Sequence, residues 1–115
     1  MSTSSYTKEE ALEIGKVIYD QIPVMTKMQA AARDFVAGNL NPDEEITEPG
    51  LMFRVTKVSK PRTFHKIIIT LDAGRDLYNV YLVKIARNSC ESTVVEQMDG
   101  VYADMLDEII FKMTS

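Results

Sequence analysis

The chain has 115 residues, a formal net charge of −4, 45% hydrophobic residues and 26% charged residues. This length suits one domain with its own core, and this composition excludes a wholly disordered chain. No apolar run approaches the roughly 20 residues of a membrane span, and the one cysteine, Cys90, excludes an intramolecular disulfide. We therefore expect a single domain over residues 1–115 in a reducing, cytoplasmic setting, without a membrane partner.

Charge is distributed unevenly along the chain. Residues 1–50 carry four basic and nine acidic side chains, whereas residues 51–98 carry eight basic and four acidic. Residues 99–115 are acidic again, with one basic and four acidic side chains. This segregation has two interpretations. Either the acidic segments neutralise the basic one within the fold, or the basic segment meets an anionic partner.

The first helix is predicted over about residues 8–21, after a disordered segment over 1–6. Thr7 and Glu10 have the spacing of a capping box. Apolar residues then follow at helical spacing: Ala11, Ile14, Val17 and Ile18. Pro23 ends the helix because proline lacks an amide donor and restricts the residue before it.

A second helix is predicted from Pro23 to Ala37, with Gly38 in the left-handed cap, so that residues 7–38 form a helical pair. One face of this helix is rich in methionine and alanine, which favours close and adaptable packing. The candidate self-association face consists of Met25, Met28, Ala32 and Phe35. The alternative is that this face packs in the core of the same molecule. Residues 39–50 contain two prolines and four acids, which predicts an acidic linker.

Residues 51–98 predict an antiparallel β-meander on which the helices pack. Its strands are expected at Leu51–Ser59, Phe64–Leu71, Leu77–Arg87 and Ser92–Met98. Proline, glycine and polar residues mark hairpin loops at Ser59–Thr63 and Asp72–Asp76. The middle strands are apolar on both faces, which predicts a sheet that is covered on both sides, in part by a second protomer.

The last strand has an alternative, because Ser92–Met113 also fits one long helix. The β-branched run Thr93–Val95 and the interior Gly100 favour a strand instead. The C-terminal helix then falls within residues 99–115, and its apolar stripe is Tyr102, Met105, Leu106, Ile109 and Met113. The predicted fold is therefore α+β, with two N-terminal helices, a four-stranded antiparallel meander and a C-terminal helix packed on the sheet.

Candidates for catalysis are few. His65 is the only histidine, and Cys90 follows Arg87 in a polar loop, where a basic neighbour lowers a thiol pKa. A Cys90–His65 pair lacks an obvious third group to orient it. No cluster of cysteines and histidines suits a metal, and the glycines are scattered singly rather than in a phosphate loop. We expect no enzyme activity, no cofactor and no metal.

The first hairpin is the one basic constellation. Lys57, Lys60, Arg62 and Lys66 lie within ten residues that contain no acid. Arg54 extends this set, and the strand residues Tyr78 or Tyr81 offer rings for base stacking. Polar loops of this kind are also common as solvated turns.

These patterns predict a small, non-catalytic, intracellular binding or accessory module that forms a homo-oligomer or holds a protein partner. The alternative is a nucleic-acid-binding domain that uses the basic hairpin.

Overall fold

The computed structural model describes residues 6–43, 46–72, 74–86 and 91–115. It confirms the α+β class, with two N-terminal helices, an antiparallel sheet and a C-terminal helix. The helices are α1 (Lys8–Gln21), α2 (Val24–Gln29) and α3 (Leu106–Thr114), the last preceded by a 3₁₀ turn at Ala103–Met105. The strands are β1 (Arg33–Asp43), β2 (Ile46–Val55), β3 (Phe64–Asp72), β4 (Leu77–Ile85) and β5 (Ser92–Val101). None of the described helices is both long enough and apolar enough to cross a membrane.

The sheet is an antiparallel meander of five strands in the order β1-β2-β3-β4-β5. The prediction of four strands was one short, because residues 33–43 and 46–50 pair as strands rather than forming helix and linker. The expected strand at Ser92–Met98 is present as β5, and it continues through Gly100, which has a φ of 67°. A left-handed glycine of this kind bends the strand without ending it.

Helix α1 begins and ends where the sequence predicts. The Thr7 hydroxyl accepts a hydrogen bond from the Glu10 amide at 3.1 Å, and the Glu10 carboxylate accepts one from the Thr7 amide at 2.9 Å. Ile22 is extended before Pro23, as a residue preceding proline prefers. Val17, however, is exposed, and Gly15 faces the sheet in its place.

Helix α2 is much shorter than predicted, and the correction changes the whole N-terminal half. It ends in a Schellman motif, in which the Ala31 amide donates to Met28 and the Ala32 amide donates to Lys27, at 3.1 and 2.9 Å. Ala31 has a φ of 52°, so an alanine occupies the left-handed position that glycine usually takes. The expected continuation to Ala37 is therefore wrong.

Residues 33–43 form strand β1 because pairing with β2 stabilises this segment more than a longer helix α2 would. Val36 pairs with Met52 and Ala37 with Leu51. Phe35 lies 5.1 Å from Phe53, measured between ring centroids. Helix propensity is a weak preference that such tertiary pairing overrides. The predicted linker at 39–50 is wrong for the same reason, since its described residues belong to the β1–β2 hairpin.

All three helices pack on one face of the sheet, the core face. Its buried strand residues are Leu51, Phe53, Val55, Ile67, Ile69, Val80, Leu82 and Val101, and they contact Ile18, Ile22, Ala30, Leu106, Ile109, Ile110 and Met113. Sequence alternation places the intervening residues on the opposite face, the open face.

The open face carries a second, smaller cluster made of Leu40, Ile68, Tyr81 and Val83, with Met52 beside it. No described helix contributes to it. Leu40 lies on β1, three strands away from β4 in the sheet order, yet it belongs to the same buried cluster as Tyr81 and Val83 and lines the same cavity as Val83. The β1 strand therefore curls over the open face and buries residues that helices leave uncovered. The sheet is thus covered on both faces, as expected. The helices cover the core face, and the curled strand β1 covers part of the open face.

The sheet and α1 approach each other closely at one point, where the only side chain between the two backbones is the methyl group of Ala37. A Cβ added to Gly15 would overlap the Ala37 side chain and lie 2.5 Å from the carbonyl oxygen of Gly50. A Cβ added to Gly50 would overlap the carbonyl group of Ile69 on the next strand. Glycine is therefore required at both positions by close backbone approach.

We expect Ala31→Gly to raise the free energy of unfolding by roughly 0.5–1 kcal/mol, because it removes the cost of a left-handed alanine. Ala32→Gly is the matched control, since φ is not positive there, and it should lower stability by about 0.5–1 kcal/mol. Urea unfolding of the three proteins measures both changes. A loss of stability in Ala31→Gly would contradict the assigned helix end.

Candidate anion-binding surface

The β2–β3 loop, which carries the predicted basic hairpin, is fastened to the end of α3. The Val58 amide donates to the Thr114 carbonyl at 2.7 Å, and the Ser59 hydroxyl donates to the Ser115 carbonyl at 2.9 Å. The Lys57 ammonium donates to the Met113 carbonyl at 3.1 Å. These carbonyls lack helical partners, and a cation at a helix C-terminus also stabilises its dipole. Lys57 therefore serves α3 rather than a ligand.

Three cations stand opposite one another across the open face. Arg33 of β1 pairs with Arg54 of β2, and Arg54 pairs with Lys66 of β3. Paired residues of antiparallel strands point to the same face, and adjacent strands lie about 4.8 Å apart. Like charges placed directly opposite each other destabilise a sheet. We call Arg33, Arg54 and Lys66 the cation row.

The cation row is only partly neutralised. Asp34 lies 3.5 Å from Arg54, with a left-handed φ of 56°. Arg33 and Lys66 form no ion pair with another residue in the described part of the chain. The other two ion pairs there lie within single helices, between Lys16 and Glu13 and between Lys112 and Glu108. Described ion pairs therefore give no support to neutralisation of the sheet by the acidic helices.

The predicted contact residues separate into two groups. Arg54 and Lys66 belong to the row, whereas Lys60 and Arg62 are exposed in the adjoining loop. Phe64 lies two residues before Lys66 and so shares its face. Its side chain is 38% exposed, and the Arg54 guanidinium carbon lies 5.7 Å from its ring centroid. An aromatic ring among cations is typical of surfaces that bind nucleic acids.

The strand tyrosines do not extend this surface, contrary to the expectation. Tyr81 is buried on the open face near Glu48 and Thr70, and burial raises its pKa to about 12, aided by the Glu48 charge. Thr70 donates a hydrogen bond to Glu48 at 3.0 Å. Tyr78 lies on the core face, donates to Gln21 at 2.6 Å, and has its pKa raised by burial. Both rings therefore serve the fold.

A cavity of about 270 Å³ opens on the open face next to the row. Its lining residues are Asn39, Leu40, Asn41, Pro42, Met52, Lys66, Ile68, Val83 and Ser92. Lys66 belongs both to this cavity and to the cation row. The curl of β1 forms one wall, so the cavity exists only because the predicted linker is a strand.

His65 is buried on the core face, where its Nδ1 donates to the Thr63 carbonyl at 3.2 Å. Burial lowers its pKa, and the charges of Lys57, Lys60 and Lys84 lower it further, against the opposing effect of that hydrogen bond. Cys90 and Arg87 lie outside the described residues, so the structure does not test the Cys90–His65 pair that was weighed as a catalytic candidate.

The predicted self-association face is divided by the structure. Met25 and Met28 are 64% and 69% exposed on α2, whereas Ala32 and Phe35 lie beyond that helix and pack against the core. The four residues therefore do not form one helix face. Phe35 packs edge-on against Tyr19, with ring centroids 4.9 Å apart.

A second apolar surface lies beside α2. A cavity of about 270 Å³ separates α2 from the β2–β3 loop and α3. Among its lining residues, Val58 and Phe111 are 73% and 60% exposed, whereas Ala30 and Ile110 are buried. No predicted site included Val58 or Phe111. Val58 is a single apolar residue in a polar loop, and Phe111 directly follows the buried Ile109 and Ile110, so the sequence does not indicate that either side chain is exposed on one surface.

Comparison with protein-family models, with curated proteins and with solved structures finds no match for this chain. Function is therefore inferred from the geometry of the surfaces described above.

We expect stability to fall as the pH drops below about 6.5, the ordinary histidine pKa, because the unfolded chain then binds a proton at His65 that the folded chain resists. The contribution is fully present above that pH and is lost as the pH falls towards the lowered pKa of the folded state. His65→Gln should lose less stability than the wild type between pH 7.5 and pH 5.5. Urea unfolding at several pH values measures this difference, and identical pH profiles would contradict the assignment.

Proposed function

We propose that this protein is a small, non-catalytic binding module that holds a phosphate-bearing chain along its cation row. The observation that carries this proposal is the direct opposition of Arg33, Arg54 and Lys66 on one face, with one described ion pair among them. Such an arrangement costs stability in the free protein. A bound polyanion supplies the missing counter-charge and releases condensed counterions when it binds.

The surrounding charges support the same partner. Lys60 and Arg62 are exposed in the loop beside the row, and the pKa of buried His65 is lowered partly by the charges of Lys57, Lys60 and Lys84. This end of the sheet is therefore positive although the whole chain carries a net charge of −4. The overall negative charge predicts modest affinity with strong salt dependence.

We expect a labelled oligodeoxythymidine to bind at low salt, with log K falling against log salt at a slope of about −2 for three phosphate contacts. Lys66→Gln or Arg33→Gln should each weaken binding and reduce that slope by about 0.7. Fluorescence anisotropy across a salt series gives both quantities.

Lys16→Gln is the matched control for this experiment. It removes one exposed cation from α1, where Lys16 pairs with Glu13 at 3.8 Å, and it should leave the slope unchanged. Absence of any binding at low salt would refute the proposal. Equal losses for Lys16→Gln and Lys66→Gln would refute the location.

Self-association is the second candidate function, and the exposed apolar surface beside α2 favours it. We define the α2 patch as Val58 and Phe111, which line the cavity beside α2, together with Met25 and Met28 on the helix itself; all four are more than half exposed. Exposed apolar surface of this kind often marks a contact with another molecule. A second copy is the proposed occupant, because a two-fold axis through the patch would bury it on both copies.

Light scattering tests this second function. The wild type should form a dimer whose dissociation constant rises about tenfold or more in Phe111→Lys, as expected when a large apolar interface residue is replaced by a charge. Val17→Lys is the control, since Val17 is an exposed apolar residue on α1, away from the patch. A wild type that stays monomeric at high concentration would eliminate this candidate.

A further inference from the structure

We infer that the open-face cavity beside Lys66 accepts one base of a single-stranded nucleic acid whose phosphates lie on the cation row. This inference rests on the proposed function and adds the chemical class of the bound chain. It begins from the position of Lys66, which belongs to the row by strand pairing and to the cavity by its lining. A phosphate held by Lys66 places the attached nucleoside at the mouth of the cavity.

The size of the cavity suits one flat ring. Its volume of about 270 Å³ lies just below the range of roughly 300–1,000 Å³ typical of pockets for drug-sized ligands. A single base is much smaller than such a ligand. The volume of the cavity is therefore sufficient for one base.

The lining has the two kinds of surface that a base requires. Leu40, Ile68 and Val83 are buried and present apolar surface to the face of a ring. Ser92 is an exposed member of the lining, and hydroxyl groups contact the edges of unpaired bases. The Lys66 ammonium lies next to this apolar and polar surface. A nucleotide has a matching arrangement, with a charged phosphate beside an uncharged base.

The geometry favours a single strand over a duplex. A base can enter the cavity only when it is unpaired and turned out of a stack. Phe64, two residues from Lys66 on the same face, adds an aromatic surface on which a neighbouring base of the same strand can stack. The phosphates of a duplex would contact the cations, but its paired bases could neither enter the cavity nor stack on Phe64.

Anisotropy titrations with three ligands test the inference: oligodeoxythymidine, an abasic oligonucleotide with the same number of phosphates, and a duplex of the same length. The base-bearing single strand should bind roughly tenfold more tightly than the abasic one, as the loss of a base contact implies. Equal affinity for these two ligands would overturn the cavity inference but would remain consistent with phosphate binding by the cation row. Equal affinity for the duplex would also overturn it.

Ser92→Leu locates the base. Ser92 is exposed at the cavity, so a larger side chain there should fill the cavity and abolish the preference for the base-bearing strand. Thr93→Leu is the matched control, since Thr93 pairs with Lys84 on the other face, and it should keep the preference. Circular dichroism checks that both variants fold. The titrations of the wild type with the three ligands test the inference even if a variant does not fold.

Two further outcomes distinguish failure of the inference from failure of the proposed function. If no oligonucleotide binds at low salt, both are refuted. If the wild type instead self-associates in a salt-sensitive manner that excludes the oligonucleotide, the cations contact an acidic segment of a second copy, and the nucleic-acid inference is refuted.

Discussion

The close approach of α1 to the β1–β2 hairpin is the constraint on which the other features depend. At Gly15, Ala37 and Gly50 the helix and strand backbones meet without large side chains between them. Gly38, with a φ of 146°, lies opposite Gly50 in the ladder. These two paired glycines leave the hairpin without side chains beside α1. Strand β1 continues from this contact to Leu40, which lines the open-face cavity.

Local chemistry made much of the fold predictable. The capping box and Pro23 define α1, and turn residues define the hairpins on either side of β3. The prediction failed at residues 30–50, where an alanine-rich segment turns at Ala31 and becomes strand β1. Alanine favours helices locally, and only pairing with a strand that follows in the chain reverses this preference. A single sequence does not display that pairing.

The candidate site was predictable only in part, for a related reason. Lys60, Arg62 and Lys66 are close in sequence, so their clustering was visible. Arg33 is 21 positions before Arg54, and nothing in its own segment indicates that the two are neighbours; that proximity is a property of strand register. The same holds for the cavity, whose walls come from β1, β2, β3, β4 and β5. Charge composition identified the basic segment, whereas strand register placed two of its cations, Arg54 and Lys66, in one row with Arg33 from the acidic segment 1–50.

The fastening of the β2–β3 loop to α3 has a consequence for how the molecule folds. Most of the sheet is built from hairpins between consecutive strands, whose loops are short and close at little entropic cost. The contacts from Lys57 to Met113 and from Ser59 to Ser115 instead join residues 56 positions apart. Such distant contacts form slowly relative to local ones. The loop that carries Lys60 and Arg62 is therefore expected to reach its final position late, after the meander itself has formed.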